Sequence, residues 1–293
     1  MSLFIAVEAQ AQRANPSHHP TGALKVITGH AGSVIYINNV RHGVTNEKGE
    51  LELKRVWAGS FPVRVRTTGF ADFNGAVVIA SGGSRTLKIT QKPITDEATL
   101  HFQKGEDLRD RGKNKDAVDE YKQAIQLRSL FAEPRIAMAR SLTALQDFQE
   151  AEKQIQAAIR MGGRTLAEAQ TVLANLRRNQ GLIEESIVEY RKALRIARGN
   201  QFEAHIGLAI ALNELNDPRL TDEIAREYRT GIIQDMETEP ILYYQLAEIL
   251  EKANRYKEAI EAYQNYLRLD PEGEYASAVE SIIEQLKQQM DKR

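Results

Sequence analysis

The 293-residue chain has no cysteine, which rules out disulfides, thiolate metal sites and a cysteine nucleophile. It has one tryptophan, Trp57, set beside a turn and read as packing, not as a ligand platform. No apolar run approaches the ~20 residues that a membrane-spanning helix needs. The motifs that announce common chemistries are missing too: there is no G-x-S-x-G, H-E-x-x-H, P-loop or G-x-G-x-x-G pattern. The histidines are scattered. His18 and His19 fall in a proline-containing stretch, His30 and His42 near predicted β-turns, and His101 and His205 on predicted helices. His30 and His42 have no carboxylate at ligand spacing, so no metal or other cofactor is expected. Glu184-Glu185 and Glu258/Glu261 read as ordinary helix-surface acids. The expectation is a protein that is not an enzyme.

Net charge is nearly absent as well, at −1, but it is unevenly spread. Residues 13–95 hold 11 Lys/Arg against 4 Asp/Glu, and residues 96–293 hold 28 against 35. A basic module precedes an acidic one. This asymmetry would draw the two modules together or direct the basic one at an anionic surface.

The first residues have their own pattern. Leu3 to Val7 is apolar, and Ala9-Gln10-Ala11 has the small-x-small form of a signal-peptidase site. Residues 2–11 read as the tail of a secretory signal, the alternative being an untidy N-terminus. The expected location is therefore extracytoplasmic, periplasmic or secreted. Gln12 to Pro20 reads as a flexible tether, so residues 1–20 form a leader.

From Thr21 to about residue 95 the hydrophobic period is two. Leu24/Val26, Leu51/Leu53, Phe61/Val63/Val65 and Leu87/Ile89 alternate with polar neighbours, as half-buried strands do. Turn residues separate them at Gly29 to Gly32, Asn38-Asn39, Asn46 to Gly49, Ala58-Gly59 and Ser81 to Ser84. A small β-sandwich is expected, with a core small enough that docking on the rest of the chain would help to stabilise it.

Beyond residue 96 a longer period takes over. Tyr121, Ile155, Tyr190, Tyr228 and Tyr263 recur at intervals of 34, 35, 38 and 35 residues. Four positions before each stands Ala117, Ala151, Ser186, Ile224 or Ala259, and three positions after each stands Ala124, Ala158, Ala193, Gly231 or Tyr266. Small residues let paired helices approach, and the large one fills the space between pairs. Neither helix of a pair can bury its stripe alone, so the pairs must stack. Asp270-Pro271 ends the last pair, because proline cannot continue the helix ladder. The segment Tyr275 to Lys292 reads as an amphipathic cap.

These residues resemble the tetratricopeptide repeat. The fit is best over residues 240–273, through Tyr243, Leu246-Ala247, Leu250, Ala259, Tyr263 and Pro271. The other repeats fall at about 98–131, 132–165, 166–200 and 201–238, with a cap at 274–293. The third has a one-residue slip around Arg177 to Gly181, and the fourth an enlarged turn, Asn213 to Asp222. Residues 21–95 resemble the PEGA domain through Val34 to Asn38, Gly43-Val44-Thr45, Ala58-Gly59, Phe61 to Arg66 and Gly69-Phe70. The same stretch also fits the carboxypeptidase-regulatory-like β-sandwich. The fold expected from these resemblances is multidomain: a small all-β sandwich followed by an all-α solenoid, or α-α superhelix.

The repeat resemblance implies a concave groove lined by first-helix residues. Carried over position by position, these are Phe102, Gln103, Glu106 and Arg109, then Ile136, Arg140 and Thr143, then Thr171, Asn175 and Arg178. Ile206, Ile210 and Asn213 follow, and last Tyr244, Gln245, Glu248 and Glu251. Apolar side chains among polar ones suit an extended or helical peptide. The lysine–asparagine clamp that grips an acidic C-terminus is not expected, because Phe102 and Glu106 stand in its place. On the sandwich, Arg41, Lys54, Arg64, Arg66 and Lys88 are expected to form a basic strip for an acidic partner. No nucleic acid is expected, since aromatics are not interleaved with these charges. The expected function is a non-catalytic cell-envelope adaptor holding a protein or peptide partner. Two alternatives stay open: a surface- or polysaccharide-binding protein acting through the basic β-module, and an accessory subunit of an enzyme encoded elsewhere.

Overall fold

A computed structural model describes residues 19–291. The signal-like segment and most of the tether lie outside the described residues. The chain divides into two compact units, one spanning residues 19–201 and the other beginning at Phe202.

The first unit opens with seven strands: β1 (Thr21–Ile27), β2 (Val34–Ile37), β3 (Val40–Val44), β4 (Glu50–Trp57), β5 (Gly59–Arg66), β6 (Phe73–Ile79) and β7 (Ser84–Lys88). They form two sheets ordered β4-β1-β7 and β3-β2-β5-β6. Alternation along the strands sends Leu24 and Val26 inward from one sheet and Ile35, Ile37, Val63 and Val65 from the other. All six are buried, and they make the sandwich core. The β2–β3 hairpin turns on Asn38 and Asn39, whose φ values of 53° and 65° match the tight turn suited to twisted strands. Gly49 is required at its turn: its φ is +72°, and a Cβ there would stand 2.4 Å from the His30 backbone nitrogen. The His30 carbonyl accepts from the hydroxyls of Thr28, Ser33 and Thr45 at 2.9, 3.0 and 2.7 Å, which ties two turns together.

Three helix pairs complete this unit: α1 (Glu97–Asp110) with α2 (Asn114–Leu127), α3 (Ala132–Ala144) with α4 (Phe148–Met161), and α5 (Leu166–Asn179) with α6 (Ile183–Ile196). Asp96 starts α1 by accepting from the Thr99 N–H at 2.8 Å, and Asp147 caps α4 in the same way. The second unit holds α7 (Phe202–Glu214) with α8 (Thr221–Gln234), α9 (Ile241–Lys252) with α10 (Tyr256–Leu269), and the terminal α11 (Ala276–Asp291). The periodic large residues are all buried, from Tyr121, Ile155 and Tyr190 at 0% exposure to Tyr228 at 3%. Along α11, Ala276, Val279, Ile283 and Leu286 are buried and the rest face outward or stand at the edge, the pattern of a cap.

Both repeat irregularities have local structure. α5 runs unbroken through Arg177 to Asn179, and the turn follows at Gln180 to Leu182. In the fourth pair, a 3-10 turn at Pro218–Leu220 fills the longer connection, with Asp217 accepting from the Arg219 N–H at 2.9 Å.

Candidate peptide-binding surface

In the first pair, Gln103 and Glu106, two of the polar residues read as groove ligands, are occupied by the sandwich. The Gln103 side chain accepts from the Gly69 N–H at 2.8 Å and donates to the Phe70 carbonyl at 2.9 Å, copying a strand-like pairing. Glu106 accepts from Arg66 of β5 at 2.6 Å, from Arg109 at 3.0 Å and from the Tyr121 hydroxyl at 2.7 Å. Arg66 also reaches Asp110 at 3.0 Å, and Thr68 bonds Asp107. Burial alone would raise the Glu106 carboxyl, but Arg109 and Arg66 outweigh it and hold the group below the ordinary carboxylate value. Two sequence readings are corrected here. Glu106 is a buried structural anion, not a groove ligand. Arg66 is its buried partner, not a member of an exposed basic strip.

The strip itself is divided. Arg41 and Arg64 belong to the four-stranded sheet, on either side of Tyr36 in the β3-β2-β5 register. Lys54 and Lys88 are exposed on the three-stranded sheet. Arg64 lies over the Tyr36 ring at 4.0 Å and meets Asp72 at 3.5 Å. Sequence alternation assigns residues to an outward face but does not say which sheet that face belongs to. His30 packs against Phe70, their ring centroids 4.1 Å apart. His42 has a buried Nε2 without a hydrogen-bond partner, and burial pushes its pKa down to about 4.

Other predicted groove residues also have structural duties. Ile136 is 1% exposed and belongs to the core of the stack. This is a further correction: it lines no open surface. Phe102 is half-buried, packed against Tyr121 and Phe131. Arg140 is half-buried, 3.5 Å from Glu168. Asn175 accepts from the Tyr190 hydroxyl. Tyr121 and Tyr190 thus each donate to the side chain fifteen positions earlier on the first helix of their own pair. A tyrosine followed back by an acid or amide at that spacing is a legible signal, and it marks such residues as packing partners.

In the second unit, Ile206 and Ile210 remain half-exposed along α7. Ile206 bears closely on α8, where a Cβ at Gly231 would stand 2.4 Å from its Cδ1. Tyr244 of α9 is the centre of an aromatic group, stacked on Tyr275 at 4.7 Å and edge-on to Tyr263 and Tyr266 at 5.8 Å. Beside it, Glu248 and Glu251 line an open cavity of about 450 Å³ that Ile282, Leu286 and Gln289 of α11 line on its other side.

Tetratricopeptide-repeat family models match residues 136–201 and 240–272. Both segments are tetratricopeptide repeats. The helix pairs have the fold of a solved structure of Pseudomonas aeruginosa pilF, at 14% identity and a TM-score of 0.57 over 67% of this chain and 86% of that one. A structure of MamA from Desulfovibrio magneticus is 16% identical, with a TM-score of 0.48 over 61% of this chain and 98% of that one. YrrB, described as a TPR protein with an unusual peptide-binding site, is 15% identical, with a TM-score of 0.45 over 64% and 93% of the two chains. No curated protein matches the sequence. Tetratricopeptide repeats generally mediate contacts between proteins, and some bind peptides.

Proposed function

We propose that this chain is a non-catalytic adaptor of the cell envelope that holds a protein or peptide partner on the first helices of its tetratricopeptide repeats. The observation that carries this reading is the half-exposed face of α7 and α9. There Ile206, Ile210 and Tyr244 are half-exposed, and Tyr244 stands beside Glu248 and Glu251. An apolar surface flanked by oriented polar groups suits a peptide segment better than a reaction centre. The signal-like N-terminus supports an extracytoplasmic location. The retained Gly69-Phe70 turn supports a PEGA-like sandwich, here serving as the brace that occupies the first repeat.

The test is site-specific photocrosslinking in the full chain, with the photoreactive residue at Ile210 and, as a control, at Arg64. Crosslinks to a partner from an extracytoplasmic fraction at Ile210, lost when Ile206 is changed to Asp with helical circular dichroism unchanged, are expected. Crosslinks at Arg64 with none at Ile210 would move the partner to the β-module.

A further inference from the structure

The cavity between α9, the start of α10 and α11 brings aromatic and acidic side chains together. Its walls carry three tyrosines, Tyr244, Tyr256 and Tyr263, two glutamates, Glu248 and Glu251, and Ile282, Leu286 and Gln289 from α11. Several other half-buried and buried carboxylates have cations against them, although the buried Asp235 is held by the Thr238 hydroxyl and the Glu239 N–H instead. Glu106 has Arg66 and Arg109, Glu120 has Lys104, Glu258 has Arg229 and Arg255, and the buried Glu237 has Arg268. Glu248 and Glu251 have none among the described residues. Lys252 lines the same cavity, but it stands exposed and forms no ion pair with either of them.

The two carboxylates are nevertheless held in place. Tyr263 donates its hydroxyl to Glu251 at 2.8 Å. Tyr244 hydrogen-bonds Glu248, and burial together with that neighbouring charge pushes the Tyr244 hydroxyl pKa up, so the phenol stays a neutral donor. A carboxylate accepts several hydrogen bonds, so each keeps acceptor capacity after binding its tyrosine. Negative oxygens that form no ion pair, set beside aromatic faces in an open recess with Ile282 and Leu286 along one wall, fit a cation with an aliphatic stem. The ammonium or guanidinium would find carboxylates and ring faces together, and its methylenes would cover Ile282 and Leu286.

We propose that this cavity receives a basic side chain, lysine or arginine, carried on a peptide partner; the inference rests on the partner-binding reading above. Its charge preference is for cations, so the partner segment is basic at the point where it crosses the last repeat.

The full chain, labelled with ¹³C on its tyrosine rings and isoleucine methyls, is titrated with three probes and followed by NMR. They are the pentapeptide acetyl-Ala-Ala-Lys-Ala-Ala-amide, its norleucine counterpart and n-butylammonium. The lysine peptide is expected to shift the Tyr244 and Tyr256 ring signals saturably, and the norleucine peptide to leave them in place. The Glu248→Gln/Glu251→Gln variant keeps acceptors for both tyrosines and is expected to weaken the lysine peptide about tenfold or more. Equal binding of the norleucine peptide, no shift with the lysine peptide, or an unchanged affinity in the double variant overturns the proposal. So does n-butylammonium binding as tightly as the peptide, which would make this a site for free amines. If the double variant loses helical signal, Glu248→Gln alone and Tyr256→Leu decide by the same criteria. Shifts of the Ile206 and Ile210 methyls without tyrosine shifts remove the cation site and leave the adaptor reading standing. Tyrosine shifts without crosslinks at Ile210 do the reverse.

Discussion

Arg66 of the sandwich donates to Glu106 of the first repeat helix at 2.6 Å, and both side chains are buried. The pair converts the opposite charges of the two modules into one fixed contact, and Gln103 fixes its register by bonding the Gly69-Phe70 backbone on both sides. A buried ion pair recovers its desolvation cost only when the remaining hydrogen-bonding capacity is filled. Here Asp110 takes the second arm of Arg66, and Arg109 and Tyr121 take the rest of Glu106.

Breaking this pair from one side is therefore expected to cost more than removing it whole. Arg66→Met should destabilise the chain by about 3 kcal/mol, because Glu106 is left buried with less compensation. The Arg66→Met/Glu106→Met double variant should recover most of that loss. Urea unfolding of the three proteins measures it; equal losses in the single and double variants would show that the two groups are not coupled. The sign with pH follows from the depressed Glu106 carboxyl. The stabilisation is fully present above its ordinary value of 4.5 and is lost as the pH falls below it.

The repeats were legible because a stack imposes the same packing on every pair. Ala117, Ala151 and Ala259 are small where helices touch, Tyr121, Tyr190 and Tyr263 are large where pairs meet, and all six are buried. The sandwich strands with clean alternation, such as Thr21–Ile27 and Gly59–Arg66, were legible for the same local reason. β6 was not, since its apolar run Ala76 to Ile79 places Val78 outward at 67% exposure between the buried Val77 and Ile79. The site was less legible than the fold. Arg66 and Glu106 sit on faces that their own strand and helix direct outward, and each is covered by the other's element, whereas Ile136 shares the buried stripe of Ala132 and Ala139. Local periodicity holds no record of what comes to cover a face.

Two buried titratable groups give the two compact units opposite responses to acid. His42, pushed down to about 4 from 6.5 by burial, binds fewer protons folded than unfolded in that range. Stability from the sandwich should therefore fall as the pH drops from 6.5 towards 4, with a slope of at most about 1.4 kcal/mol per pH unit. Asp235, pushed up to about 6 by burial, keeps its proton in the folded chain. Stability of the 202–291 segment should instead fall as the pH rises from 3.8 to 6. Hydrogen exchange resolved by segment reads both, with His42→Leu expected to flatten the first slope and Asp235→Asn the second.

Gly105 and Gly231 separate helix propensity from packing. Glycine in a helix interior costs about 1 kcal/mol relative to alanine, so propensity alone predicts that Gly→Ala stabilises both sites. A Cβ at Gly105 would stand 2.5 Å from the Tyr121 ring, and one at Gly231 would stand 2.4 Å from Ile206. Tyr121 is fully buried and cannot yield, so Gly105→Ala should destabilise by about 1–3 kcal/mol through overpacking. Ile206 is half-exposed and can rotate away, so Gly231→Ala should cost less. Thermal melts of the two variants give the order, and a stabilised Gly105→Ala would overturn the packing assigned to the first repeat.

Gln103 offers a way to loosen the sandwich without touching either core. Gln103→Glu keeps an acceptor for the Gly69 N–H but cannot donate to the Phe70 carbonyl, and it sets a carboxylate against that oxygen. An unsatisfied buried polar group costs about 1–3 kcal/mol, and an added charge raises the figure. The loss should appear at the contact, with amide exchange rising together in residues 66–71 and 97–110. The inner sandwich strands should keep their protection. Exchange that rises along α1 while Gly69 and Phe70 stay protected would show that the sandwich is held by contacts other than this amide. A concerted rise would show that the brace on the first repeat opens as one piece, uncovering the polar face of α1 that the repeat pattern reserves for a ligand.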